Sequence, residues 1–207
     1  MNGAHTYTVE DGAIVGRTVE SSAHINSFLC SLQEFDDFEL ELETTVDRIT
    51  NQGIQIRTKV RPVQGAGRPN ESFAGRVNGP QVEVRRYYPG LPTTGLLYGE
   101  ALGTNWLSSQ QKIEAGHRHF VDEGWNTLRI VAQGPRIQTW VNGYPVEDHV
   151  NEEVYRTHPR GFIGLQIHGL GERELAQPIN MDTKLTPSQP LVSRWRNIRI
   201  RPLSPRN

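Results

Sequence analysis

With 207 residues and a net charge of −1, the chain offers no electrostatic hold to nucleic acid or an anionic membrane. Its length suits a single domain over residues 1–207, large enough to bury a full core. No apolar run approaches the roughly 18–20 residues of a membrane span, residues 1–10 lack the basic start and apolar stretch of a signal peptide, and a lone cysteine, Cys30, forbids an internal disulfide.

In Phe28-Leu29-Cys30 the thiol is expected to be buried as a small apolar group. Phe38, Leu40, Leu42, Thr44 and Val46 then alternate with Glu39, Glu41, Glu43 and Thr45, the period of a half-buried strand. Ile54, Ile56, Thr58 and Val60 alternate in the same way with Gln55, Arg57 and Lys59. The short polar segment Asp47–Gln52 predicts an antiparallel hairpin of 38–46 with 53–60, setting Glu43 opposite Arg57. Val82 and Val84 alternate with Gln81, Glu83 and Arg85. Long loops are expected at about 61–76 and about 99–120. Gly65-Ala66-Gly67 in the first follows no strand–helix pattern, so no nucleotide or organic cofactor is expected.

Tyr98 and Trp106 suggest a stacking platform for a sugar ring. His117 and His119, near Glu114, read as exposed loop histidines in preference to metal ligands. Trp125, Trp140 and Trp195 fall in strand-like stretches and are expected in the core. Leu128, Ile130 and Ala132 run into a Gln-Gly-Pro turn, and Ile137, Thr139 and Val141 run into Asn142-Gly143, a turn with positive φ. In Gly164-Leu165-Gln166-Ile167-His168 one face is apolar and the other carries an amide and an imidazole. No segment holds a helical period over three turns. The pattern is that of an all-β protein, an antiparallel β-sandwich.

Two constellations could carry chemistry. Glu39, Glu41 and Glu43 lie about 6.5–7 Å apart along one strand face, which overlaps carboxylate separations in glycosidases. A retaining glucanase of the laminarinase type would carry a central aspartate, which is absent here, and a solvated face is the simpler reading. The second set is Gln55, Arg57, Gln81, Glu83, Arg85, Gln166 and His168, all on the non-core faces of their strands. If those strands are neighbours, one sheet face presents the planar polar groups that recognise sugars.

Nine segments in order carry a resemblance to a known family. They are Val9–Gly12, Asp37–Leu40, Asn51–Arg57, Val82–Val84, Gly95–Gly99, Gly124–Asn126, Trp140–Gly143, Gly164–His168 and Arg196–Ile200. The chain resembles the 3-keto-disaccharide hydrolase domain, which has a concanavalin A-like jelly-roll fold. Three departures stand out. A family segment with an F-N-G-K-like turn and a tryptophan would precede residue 1. An N-S-G motif reads Asn51-Gln52-Gly53, and the Gln and Asp that follow Glu83 in the family give way to Arg85, Arg86, Tyr87 and Tyr88.

The resemblance implies cleavage of 3-keto-glycosides: removal of the C2 proton, β-elimination of the C1 substituent, then hydration. It also implies a carbohydrate partner and a periplasmic or secreted location. On this reading His168 or Glu83 acts as base or metal ligand, and Arg57 steadies the enolate. Gln55, Gln166 and Tyr98 hold hydroxyls, with Glu43, Arg85 and Trp106 as further substrate contacts. A divalent metal, with His168 and Glu83 as its candidate ligands, would be an alternative electrophile at the C3 oxygen. The alternatives are a non-catalytic carbohydrate-binding module on the same fold and a glycosidase using the glutamate strand.

Overall fold

Twelve strands form two antiparallel sheets in a computed structural model that describes residues 3–19, 26–46, 50–60, 76–85, 93–109, 116–121, 123–169 and 190–204. They are β1 (Thr6–Glu10), β2 (Ala13–Arg17), β3 (Asn26–Phe35), β4 (Phe38–Val46), β5 (Asn51–Val60), β6 (Val77–Arg85), β7 (Leu97–Glu100), β8 (Asn126–Gln133), β9 (Arg136–Val141), β10 (Tyr144–Val150), β11 (Gly161–His168) and β12 (Val192–Pro202). One sheet runs β1-β2-β12-β4-β8-β9-β10 and the other β3-β11-β5-β6-β7. Among the described residues no helix is long and apolar enough to cross a membrane.

Between the sheets the alternating apolar positions close into a core. Phe38, Leu40, Leu42, Leu128, Ile130 and Val141 from the first sheet meet Ile54, Ile56, Val82, Val84 and Leu97 from the second. Trp195 on β12 is fully buried there and stacks on Tyr7, with ring centroids 6.2 Å apart. The other two strand tryptophans depart from expectation. Trp125 and Trp140 lie half-buried on the outer face of the first sheet, under the guanidiniums of Arg196 (3.9 Å) and Arg129 (4.2 Å). Their positions are in phase with the charged side chains of their strands, so the alternation sends them outward.

The hairpin expected between 38–46 and 53–60 does not form. β4 pairs with β12 and β8, while β5 pairs with β11 and β6. The chain crosses from one sheet to the other between the two strands, because each has an apolar face that must meet the same core from opposite sides. A polar contact marks the crossing: Gln52 Nε2 donates to Thr44 Oγ1 at 2.6 Å, sheet to sheet. The two expected tight hairpins do form, with Ala132 opposite Ile137 and Val141 opposite Tyr144. Asn142 and Gly143 take φ of 50° and 82°, as that two-residue turn requires.

A short helix, α1 (Glu152–Thr157), precedes β11. Asn151 caps it by accepting from the Val154 N–H at 2.9 Å, and Glu152 and Glu153 suit its positive end. His158 follows, buried between Asn78 Oδ1 (3.0 Å) and Thr157 Oγ1 (2.9 Å). Burial, helped by the Lys59 charge, pushes its pKa down to about 4. The folded protein therefore refuses a proton that the unfolded chain takes up near pH 6.5, and stability is lost as pH falls from there toward 4. Thermal melts at pH 7 and pH 4.5 should show this directly. His158→Gln, which cannot titrate, should melt with a smaller acid-induced drop than the wild type, by several degrees.

Candidate active site

Strand register arranges the outer face of the five-stranded sheet in three rows. Cys30, Gly164, Gln55, Gln81 and Tyr98 are directly opposite one another across β3, β11, β5, β6 and β7. The next row is Phe28, Gln166, Gly53 and Glu83, and the third is Asn26, His168, Asn51 and Arg85. This face curls. The edge strands of a flat five-stranded sheet would stand ~19 Å apart, yet Asn26 Nδ2 on β3 donates to Glu100 Oε1 on β7 at 3.3 Å. The rows therefore line a concave trough. Gln55, Gln81 and Gln166 are at most 1% exposed and Glu83 is 4% exposed.

A hydrogen-bonded relay crosses the trough. Thr58 Oγ1 donates to Gln55 Oε1 (3.0 Å), Gln55 Nε2 to Gln81 Oε1 (2.7 Å), and Gln81 Nε2 to Glu83 Oε1 (2.5 Å). Gly53 makes room for it. A Cβ at that position would lie 2.3 Å from Gln81 Cδ, so only glycine lets the Gln81 side chain lie over β5. Desolvation pushes the Glu83 pKa up to about 7, even though the Arg85 guanidinium at 3.8 Å and the Gln81 amide pull it down. A buried carboxyl that gains and loses its proton near neutrality is what a general base requires.

Tyr98 shares this end of the trough. Burial, then the charges of Glu100 and Glu83, raise its pKa and keep the phenol protonated. Its ring meets Trp106 edge-on at 5.3 Å. Glu100 is buried between Arg76 (2.7 Å) and Asn26. His168, opposite Asn26 and Asn51, donates from Nδ1 to the Gly169 carbonyl, so Nε2 is the nitrogen through which the ring would exchange protons. Cys30 is half-buried and its thiol is pushed up to about 11 by burial, which makes it a poor nucleophile.

Of the residues expected at the site, Glu83, Gln55, Gln166, His168, Tyr98 and Arg85 share the trough, with Trp106 packed on Tyr98. Two do not. Arg57 sits at a bulge in the β5–β6 pairing with φ of 49°. From there its guanidinium bonds to the Asp36 and Gly134 carbonyls and to Asp37 Oδ1 at 2.6–2.8 Å, tying the two sheets together at one end. Glu43 lies on the outer face of the other sheet, bound to Arg196 (2.7 Å) and Asn197 (2.9 Å). Glu39 is held on that same face by Arg129 and Arg201. These partners keep both glutamates below the usual carboxylate range, so neither suits the protonated acid of a glycosidase dyad. Glu41 faces Arg199 across the strands.

The pair considered as metal ligands is also separated. β5 lies between His168 and Glu83, so their strands are roughly 10 Å apart, and Glu83 is engaged by Gln81. Among the described residues no group of three His, Cys, Asp or Glu converges. These positions do not fit an ion shared by His168 and Glu83, and no step is derived through one. His119 stacks on Tyr144 at 3.9 Å, while Glu114 and Gly65–Gly67 lie outside the described residues. Asn26 and Glu100 belong to the trough although no sequence pattern singles them out, and Asn51 belongs there too, marked in the sequence only as the start of Asn51-Gln52-Gly53. Leu97-Tyr98-Gly99-Glu100 does alternate, but its last member falls where a loop from residue 99 is expected.

A family model for the 3-keto-alpha-glucoside-1,2-lyase-like domain matches residues 1–201. The chain belongs to that family. This lyase-like domain is accordingly a domain of carbohydrate chemistry. Solved structures share the fold at low identity. A protein of unknown function with a galectin-like fold from Bacillus subtilis aligns with TM-score 0.63 at 12% identity, covering 99% of this chain and 89% of its own. The carbohydrate-binding module CBM66 from Bacillus subtilis aligns with TM-score 0.52 at 13% identity, covering 97% and 96%. A native glycosidic hydrolase aligns with TM-score 0.56 at 11% identity, covering 97% and 82%. No protein of curated function matches the sequence.

Proposed function

We propose that this lyase-like domain cleaves 3-keto-glycosides by elimination and rehydration, with Glu83 as the base. The observation that carries the reading is the buried Glu83 carboxyl, poised near neutrality at the end of the Thr58–Gln55–Gln81 relay. A C3 ketone acidifies the C2 proton, so a base of this strength suffices where direct glycoside hydrolysis needs an acid–nucleophile pair.

The arrangement supports the following steps. The Glu83 carboxylate takes the C2 proton, and the electron pair moves onto the C3 oxygen. The Tyr98 hydroxyl, kept protonated by its surroundings, hydrogen-bonds that oxygen as charge builds on it. The electrons return, the C1=C2 bond forms and the C1–O bond breaks, with the leaving oxygen taking a proton from His168 Nε2. Water then adds its oxygen to C1 and gives a proton to His168, while Glu83 returns its proton to C2. Gln55 and Gln81 hold Glu83 in place, and Arg85 contributes a fixed positive charge beside it.

Turnover of a 3-keto-α-glucoside in deuterated water tests the mechanism. Elimination and rehydration put deuterium at C2 of the released keto sugar from the first turnover, whereas direct displacement at C1 leaves that position protonated. Binding without cleavage of the keto substrate would instead support a carbohydrate-binding module. The relay makes its own prediction. Gly53→Ala should force Gln81 off Glu83 and lower kcat/KM by about 10-fold or more, the scale of one misplaced catalytic contact. Steady-state kinetics beside a melting curve would separate this from simple unfolding.

A further inference from the structure

The relay that ends at Glu83 has two possible directions. In the structure each group donates toward Glu83: Thr58 Oγ1 to Gln55, Gln55 Nε2 to Gln81, and Gln81 Nε2 to Glu83 Oε1. That direction suits a carboxylate, which only accepts. Once Glu83 gains a proton on Oε1, its O–H meets the Gln81 N–H, donor against donor. The other oxygen is no better placed, because Oε2 faces the Arg85 guanidinium at 3.8 Å and a guanidinium cannot accept.

Turning both amides over removes the conflict. Glu83 then donates to Gln81 Oε1, Gln81 Nε2 to Gln55 Oε1, and Gln55 Nε2 to Thr58 Oγ1. Thr58 needs an acceptor in its turn, and the Ile56 carbonyl stands 3.3 Å from its hydroxyl. Two other features fit this second form. The 2.5 Å between Gln81 and Glu83 is short for N–H···O and ordinary for O–H···O. Gly53, beneath the Gln81 amide, leaves it room to turn. Thr58, Gln55, Gln81 and Glu83 are all buried, so water does not replace a lost partner and a mismatched link is costly.

We propose that the relay is a two-way switch that reverses as Glu83 gains and loses its proton, with Thr58 as the positioning residue whose hydroxyl closes it in both directions. Every link then pairs a donor with an acceptor in either form, and the carboxyl changes charge inside the trough without losing its support. The reversal rests on the hydrogen bonds alone. Its use in turnover, where Glu83 takes a proton from C2 and returns it, rests on the elimination reading.

Among the described residues, the charged and titratable groups around Glu83 are Arg85 on its own strand and Tyr98 and Glu100 on β7, with Gly53 opposite on β5. Nuclear magnetic resonance of the whole isotope-labelled domain, without substrate, reads the switch. The Overhauser contact between the Gln55 amide protons and the Thr58 methyl group should be strong at pH 5 and weak at pH 8. It should change with the midpoint of the Glu83 carboxyl carbon signal, and stay constant in Glu83→Gln. A contact that ignores pH in the wild type would overturn the proposal, and so would one that still changes in Glu83→Gln, which would assign the effect to Glu100. Thr58→Val takes one bond from the ionised form and two from the protonated form. The Glu83 midpoint should therefore fall by about half a unit to one unit, and Thr58→Ser should restore it; an unmoved or raised midpoint in Thr58→Val would remove Thr58 from the relay. The wild-type measurement carries the test if Thr58→Val fails to fold. If the switch operates and a 3-keto-glucoside is not cleaved, the elimination reading fails while the relay stands.

Discussion

Replacing Glu83 by glutamine should abolish turnover and, above neutral pH, make the protein more stable. Loss of a general base costs roughly 10²–10⁴-fold in rate, while glutamine keeps the shape of the group and its bond from Gln81. The stability gain follows from the raised pKa. Between an ordinary carboxyl value of 4.5 and the folded value of about 7, the folded protein keeps a proton that the unfolded chain has lost. Stability from the neutral acid is full below 4.5 and drains away as pH climbs toward 7. A tenfold change in a proton affinity corresponds to about 1.4 kcal/mol, so the cost of ionising Glu83 is on the order of 3 kcal/mol at pH 8. The melting-temperature difference between Glu83→Gln and wild type should therefore widen from pH 5 to pH 8. The acid limb of kcat/KM for the wild type should fall with an apparent pKa near 7. A variant that keeps its turnover would remove Glu83 as the base, and one no more stable than wild type at pH 8 would place the Glu83 carboxyl in solvent.

Arg57 should behave in the opposite sense. Its side chain is 2% exposed and makes three bonds, two to carbonyls and one to Asp37, and Tyr155 of α1 covers the guanidinium at 5.1 Å. Arg57→Ala leaves Asp37 without its counter-charge and the Asp36 and Gly134 carbonyls without a donor. Removing one partner of a buried pair costs about 3–5 kcal/mol, which in a chain of this size lowers Tm by about 10 °C or more. Turnover per folded molecule, measured well below the melting point, should change by less than about 3-fold, since that guanidinium points away from the trough; each 10-fold would represent about 1.4 kcal/mol of transition-state binding. A large drop in kcat with an unchanged Tm would restore Arg57 to the enolate role.

The contrast between these two residues shows what alternation can reveal. Period two correctly separates Val82 and Val84 from Gln81 and Glu83, because β6 keeps one register with β5 from Gln81 to Arg85. It places Arg57 outward by the same logic and fails, since the bulge at residue 57 turns the side chain through a left-handed backbone that no glycine announces. Partner choice is likewise out of reach. The polar segment after Val46 fits a hairpin, and only the competition of two apolar faces for one core sends β5 to the other sheet. The pKa of Glu83 is hidden for a related reason: it is raised first by burial, which depends on how the strands pack and not on the local sequence. Trp125 and Trp140 are readable as outward by phase, and their size alone argues for the core.

The strand order has a consequence for how the chain acquires its shape. β12, the last strand, lies between β2 and β4, and Trp195 on it fills the middle of the core. A chain emerging from the ribosome through residue 190 thus has the first two strands separated from the fourth by an empty lane, with the unpaired edges of both exposed. Contacts this distant in sequence make folding slow, and the open lane is a hazard for pairing with other chains during that wait. Supplying residues 191–204 in trans as a peptide should therefore rescue refolding of a chain cut at 190, in the manner of a strand donated to a waiting sheet.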